Sequence, residues 1–297
     1  MKPNFLIVGA AKCGTTSMHR YLNQHPDIFM PEWKELSLFI GDPFGPIHKV
    51  KTPYYYRKVF SKVQNQTAVG EASTPYLFDE AAPRIIKEQL GPIRIIIILR
   101  DPVAMSYSLY NHQLRKEGET IDNFEEALLA EKDRQKDPAF KKKCYGWHAN
   151  YYYTQRALYY EQVKRYMDTF GKDNVRVILF EDLAGEPLSV VRKVFHFLGV
   201  DDRFIPEIQI HNPAGSILKI PLFWKNTGLF LKTCQFVFSK NLIKKVPHLL
   251  RDLSRVAPQP INAVTAQKLR KRFYEDICQL EQLIEKDLSS WKSESSF

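Results

Sequence analysis

The sequence predicts an α/β fold: a P-loop-like, three-layer domain with a mainly parallel central sheet flanked by helices. Three observations carry this prediction. Strand-like and helix-like stretches alternate through residues 5–200. The strongest strand, IRIIIILR at 93–100, contains four consecutive isoleucines and no polar face, so it demands cover on both sides. The first strand, FLIV at 5–8, runs into GAAKCGTTS at 9–17, a glycine-containing turn that opens a helix and exposes backbone N–H groups to an anion.

Each element follows from local pattern. The apolar run at 5–8 ends at Gly9, and residues 15–24 read as a helix stopping before His25-Pro26. AVGEAS at 68–73 is a weaker strand, and 79–90 a helix with Asp79 as cap and Gly91-Pro92 as stop. After the isoleucine strand, DPVAMSYSLYNHQLR at 101–115 is a helix with Pro102 in its first turn, where a missing N–H does no harm. Residues 123–135 and 150–170 read as helices, and DPAFKKKCYGW at 137–147 as a basic loop between them. NVRVILF at 174–180 is a strand, and 187–198 a helix closed by Gly199. Leu269, Phe273, Ile277, Leu280, Ile284 and Leu288 recur at helical steps and predict a final helix, after which the tail SSWKSESSF should fray. The expected organisation is one domain over 1–297, with a nucleotide-binding core at 1–200 and a C-terminal helical part at 201–297 that completes the site.

Bulk properties narrow the function classes. The formal charge of +10, from 43 basic and 33 acidic residues, favours anionic ligands. The four cysteines (13, 144, 234 and 278) form no CxxC pair, which argues against a zinc site or a disulfide framework. No apolar run is long enough for a membrane span, and MKPNFLIVG lacks a signal-peptide pattern, so a cytoplasmic protein is expected.

The loop at 9–17 departs from the triphosphate pattern. Gly9 and Gly14 have its spacing, but Thr15 stands where a lysine should reach the β- and γ-phosphates, and the lysine lies inside the loop as Lys12. The strand end after the isoleucines offers Arg100 before Asp101, and a guanidinium there suits a second phosphate better than a magnesium ion.

Two segments together resemble the sulfotransferases that use 3′-phosphoadenosine 5′-phosphosulfate (PAPS). AKCGTTSM at 11–18 resembles their 5′-phosphosulfate loop, and RDPVAMSYSLY at 100–110 their 3′-phosphate segment. KELSLF at 34–39, GEASTPYLF at 70–78 and VILFEDL at 177–183 are weaker likenesses. The resemblance is closest to bacterial and carbohydrate-type members. It implies that Lys12 stabilises charge on the departing phosphate. It implies that Cys13, Gly14, Thr15 and Thr16 hold the 5′-phosphate, and that Arg100 and Ser108 hold the 3′-phosphate. It further implies an aromatic near adenine, Phe180, and a late-loop contribution from Lys219. PAPS would be donor and PAP product, with no metal required.

The acceptor must lose a proton as it attacks, so a base is needed. The family's KE…F segment points to Glu35; Glu32 and the histidines His48 and His112 remain alternatives. Ser73 replaces a lysine that heparan-type members place before Thr-Pro, and Ala104 and Met105 also depart from the family pattern. Cys13 is expected to be a tolerated small residue rather than a reactive thiol. The predicted activity is sulfuryl transfer to a hydroxyl, less readily an amine, of a small metabolite, lipid-like molecule or glycan. No nucleic-acid partner is expected. The chain is read as monomer or homodimer, and the aromatic and lysine-rich stretch at 221–245 allows peripheral membrane contact. A P-loop kinase or hydrolase and a noncatalytic polyanion-binding protein are the rival readings.

Overall fold

Five short apolar runs pair side by side into one parallel sheet. The computed structural model describes residues 2–41, 53–209, 217–218, 255–256 and 259–293. The strands are β1 (Phe5–Gly9), β2 (Ile28–Phe29), β3 (Ala68–Ala72), β4 (Arg94–Leu99) and β5 (Val175–Leu179), in the order β2-β3-β1-β4-β5. β1 lies centrally, with Ile7 opposite Ala72 on one side and Ile96 on the other. Residues 95–99 are fully buried, as an isoleucine run with two covered faces requires.

Helices cover this sheet. α1 (Thr15–Leu22) packs on β1 and β3. Then come α2 (Pro53–Phe60), α3 (Pro75–Phe78), α4 (Ala82–Leu90), α5 (Pro102–Arg115), α6 (Phe124–Lys136) and α7 (Pro138–Lys143). α8 (Tyr160–Phe170), α9 (Phe180–Gly185) and α10 (Pro187–Leu198) complete the core. α10 packs on α1 and β5, while α8 packs on β4 and β5 with α4 and a late helix, α11 (Ala263–Ile284), against it. A short helix, α12 (Ser289–Lys292), and an antiparallel pair, β6 (Ile217–Leu218) with β7 (Arg255–Val256), follow. No helix among the described residues is long and apolar enough to cross a membrane.

Several expectations need correction, each for a physical reason. The stretch at 150–159 is not α-helical: it forms 3-10 turns at His148–Tyr151 and Gln155–Ala157, and the helix begins at Tyr160. Distant carboxylates impose this. Glu131 accepts the N–H groups of Thr154 and Gln155, and Asp276 accepts those of Tyr159 and Tyr160. The basic stretch at 137–147 contains α7, because Asp137 accepts the Ala139 N–H at 2.8 Å and Pro138 opens the helix. The helix expected at 79–90 starts at Ala82, with the Asp79 carboxylate accepting the N–H groups of Ala81 and Ala82.

At the C-terminal end, α11 stops at Ile284, one turn short of Leu288, because Glu285 turns into the left-handed region (φ 53°). The tail does not simply fray. Trp291 on α12 is 2% exposed and its ring lies 6.3 Å from that of Tyr159. A buried indole is the anchor here, so Trp291→Ala should cost about 3 kcal/mol or more of stability, read as a lowered urea midpoint with an unchanged far-ultraviolet spectrum.

Candidate active site

The site begins where β1 ends. Lys12 and Gly14 both take left-handed backbone conformations (φ 64° and 84°), which turns successive N–H groups inward as a concave anion nest. Gly14 is required twice over: a Cβ there would also stand 3.0 Å from the Phe180 ring. No side chain caps α1, so the N–H groups of its first turn remain available to a ligand.

Cations converge on this loop. Burial pushes the Lys12 amine down to about 8, helped by Arg115, Arg100 and Lys34. Arg100 stands at the end of β4 with its guanidinium 4.7 Å from the centre of the Phe180 ring. Arg115 and His112 approach from the last turns of α5; burial and the nearby charges of Lys12, Arg115 and Lys116 push His112 down to about 4. The Cys13 thiol points the other way. It is fully buried, donates to the Ala11 carbonyl at 3.3 Å, lies 3.8 Å from the Tyr159 hydroxyl, and is pushed up to about 12 by burial. Cys13 therefore offers the site its backbone rather than a reactive sulfur.

The segment 31–38 brings a carboxylate to the same place. His19 of α1 donates from Nε2 to the Pro31 carbonyl at 2.8 Å and holds the segment's start. Lys34 donates to the hydroxyls of Thr15 and Thr16 at 3.0 and 3.1 Å, and burial lowers its amine pKa. Glu35 and Ser37 take positive φ values of 60° and 52°, a strained shape that its surroundings must enforce. The Glu35 N–H is held by the Ala72 carbonyl at 2.9 Å, and buried Glu71 anchors the other end of the segment, accepting from the Ser73 and Tyr76 hydroxyls at 2.7 and 2.6 Å. Those hydroxyl oxygens in turn accept the N–H groups of Ser37 and Leu38. The Glu35 carboxylate, left at the surface, accepts the Thr74 N–H at 2.9 Å and its hydroxyl at 3.2 Å.

Beneath Thr74 lies Arg156, 3% exposed, donating to the Thr74 carbonyl and to Asn150 Oδ1. Its guanidinium rests against the rings of Trp147 and Phe78, burial lowers it to about 10, and the Glu35 charge raises it. A buried cation thus sits under the turn that holds the exposed carboxylate.

The expected residues meet as follows. Lys12, Cys13, Gly14, Thr15 and Thr16 form the loop, and Arg100 and Phe180 stand beside it. Phe180 packs on Gly14 and under Arg100. Ser108 is half-buried within α5. Glu35 and Glu32 are both exposed, and Glu35 lies beside Lys34, their charged atoms 3.9 Å apart. His48 and Lys219 lie outside the described residues, as does 221–245. Sequence reasoning missed Lys34, Arg115 and Arg156. Lys34 stood in a quoted motif, but only the fold shows that its amine turns back to α1.

This loop and its fold define a class, and comparison with known proteins agrees. The family model described as "Sulfotransferase domain" matches residues 2–212. The chain belongs to the sulfotransferase family. A crystal structure of a sulfotransferase from Alicyclobacillus acidocaldarius superposes with a TM-score of 0.73 at 32% identity, covering 99% of this chain and all of that one. The membrane-associated sulfotransferase kil1 of Dictyostelium discoideum is 24% identical over 67% of this chain and 56% of its own length. Mouse bifunctional heparan sulfate N-deacetylase/N-sulfotransferase 1 is 29% identical over 67% of this chain and 22% of its own. The chain thus spans about a fifth to a half of the length of these curated relatives.

Ser73→Ala should show whether the Glu71 network sets the 34–38 segment. It strips buried Glu71 and the Ser37 N–H of a partner, so stability should fall by about 1–3 kcal/mol, read by urea unfolding.

Proposed function

We propose that this chain is a PAPS-dependent sulfotransferase that passes a sulfuryl group to a hydroxyl of a small metabolite, lipid-like molecule or glycan. The observation that carries this reading is the gathering of Lys12, Lys34, Arg100 and Arg115 around one uncapped helix start, with a surface carboxylate beside it. A nucleotide with phosphate at both its 5′ and 3′ positions fits that set. The loop amides and the Thr15 and Thr16 hydroxyls suit the 5′ end, and Arg100 with Ser108 suits the 3′ phosphate. Bound there, the donor would supply a sulfuryl group on a phosphate leaving oxygen.

The chain's own residues do the rest. Lys12, strained inward by its backbone, is placed to offset charge on the leaving oxygen. Glu35, held by Thr74, takes the acceptor proton. Glu35 is preferred over His112 because it lies at the surface, where an acceptor can reach it, whereas His112 is half-buried among the cations Lys12 and Arg115 that face the donor. Arg156 positions Glu35 through Thr74. Family membership favours sulfuryl transfer over the phosphoryl-transfer and noncatalytic alternatives, and the heparan sulfate relatives keep a glycan among the acceptors.

An acceptor screen with PAPS, read by mass spectrometry as an added sulfate, tests the activity. Lys12→Met should lower turnover at least about 100-fold while the protein stays folded. Glu35→Gln should do so by about 100- to 10,000-fold and leave PAP affinity unchanged; a normal rate in Glu35→Gln would remove it as base. Lys12 also sets a pH signature. Free enzyme above pH 8 holds mostly neutral lysine, and a bound anion restores the ammonium. Binding should therefore take up a proton there and weaken as pH rises. Calorimetry in buffers of different ionisation enthalpy should show a larger uptake in wild type than in Lys12→Met; equal uptake in the two would remove Lys12 as its source.

A further inference from the structure

Lys34 occupies the junction of the two halves of the site. Its amine contacts the hydroxyls of the first two residues of α1 and stands 3.9 Å from Oε1 of Glu35, while its side chain is only 15% exposed. A lysine normally keeps its charge in water by extending its stem. Here the charge is withdrawn from solvent, and two neutral hydroxyls return only part of the lost hydration. The second link to a carboxylate is long for a charge-assisted hydrogen bond. The arrangement makes physical sense if an anion completes the shell of Lys34.

Geometry says which part of the anion. In-line transfer sets the leaving oxygen, the transferred atom and the attacking oxygen roughly on one line. The loop marks one end of that line and Glu35 the other. An ammonium that touches the loop threonines and neighbours Glu35 flanks the middle of it. Resting on the reading of this site as a sulfuryl-transfer centre, we propose that Lys34 is a second catalytic cation, contacting the equatorial oxygens of the sulfuryl group while Lys12 serves the leaving oxygen.

In that step the sulfur–oxygen bond to the 5′-phosphate breaks as the bond to the acceptor oxygen forms. The acceptor proton passes to Glu35, and Lys34 keeps its protons throughout. The role differs from that of a tether fastening residues 31–35 to α1, which would matter equally for donor and product. It also differs from that of a phosphate ligand, which would hold PAP as firmly as PAPS.

The experiment compares wild type, Lys34→Met and Lys34→Arg by calorimetric titration with PAP and, without acceptor, with PAPS, and then by turnover. Lys34→Met should bind PAP within about twofold of wild type and PAPS about tenfold more weakly, with turnover reduced about 100-fold. Lys34→Arg should recover part of the PAPS preference. Equal weakening for PAP and PAPS would make Lys34 a tether or phosphate ligand and overturn the proposal. Unchanged affinities and turnover would overturn it as well. Failure of wild type to bind either nucleotide is a separate result: it would remove the donor reading itself, and the proposal with it.

Discussion

Like charges held together out of bulk water are the constraint on which the site depends. Moving the Lys12 amine from 10.5 to about 8 corresponds to roughly 3 kcal/mol set against its charged form. Burial is the largest single cause, and Arg115, Arg100 and Lys34 add to it. An isolated fold gains nothing from such crowding. A ligand carrying several negative charges reverses the sign, because each cation that repels Lys12 then attracts the same ligand. The left-handed turns at Lys12 and Gly14, the uncapped start of α1 and the phenyl face under Arg100 all serve to hold that arrangement in place before a ligand arrives.

The second half of the site obeys a different constraint, the satisfaction of buried polar groups. Glu71 cannot lie in the sheet interior without partners, and the Ser73 and Tyr76 hydroxyls that answer it also fix the backbone at Ser37 and Leu38. Glu35 itself is held by its N–H on the Ala72 carbonyl at 2.9 Å and by its carboxylate on Thr74. In this chain position 73 is wholly buried, so a small hydroxyl suits it and a lysine would not. The cation beside Glu35 is Lys34, on the segment the network holds.

The layered fold was legible because its signals are local. The isoleucine run, the Gly9 and Gly14 spacing and Gly199 each act through neighbours in sequence. Lys12 and Arg100 stand out by their places in a strand-to-helix loop and at a strand end, while Glu35 is pointed to only by the resemblance of its KE…F segment. What escaped depends on contacts made across the chain. The 150–159 stretch reads as helix until Glu131 and Asp276, from α6 and α11, claim its N–H groups. Lys34 and Arg156 look like ordinary surface cations until folding withdraws them. The helix at 138–143 is a different kind of case: its start signal, Asp137-Pro138, is local, yet the stretch reads in sequence as a basic loop.

A cluster of cations suited to a nucleotide phosphorylated at 3′ and 5′ should discriminate against a magnesium-bound triphosphate, and titration calorimetry of one protein sample with PAP, with AMP and with ATP plus magnesium measures that discrimination. PAP should bind, AMP, lacking the 3′-phosphate that Arg100 would hold, should bind at least about tenfold more weakly, and magnesium should tighten none of them. Tighter binding of magnesium–ATP than of PAP would rule out a site built for the 3′,5′-bisphosphate.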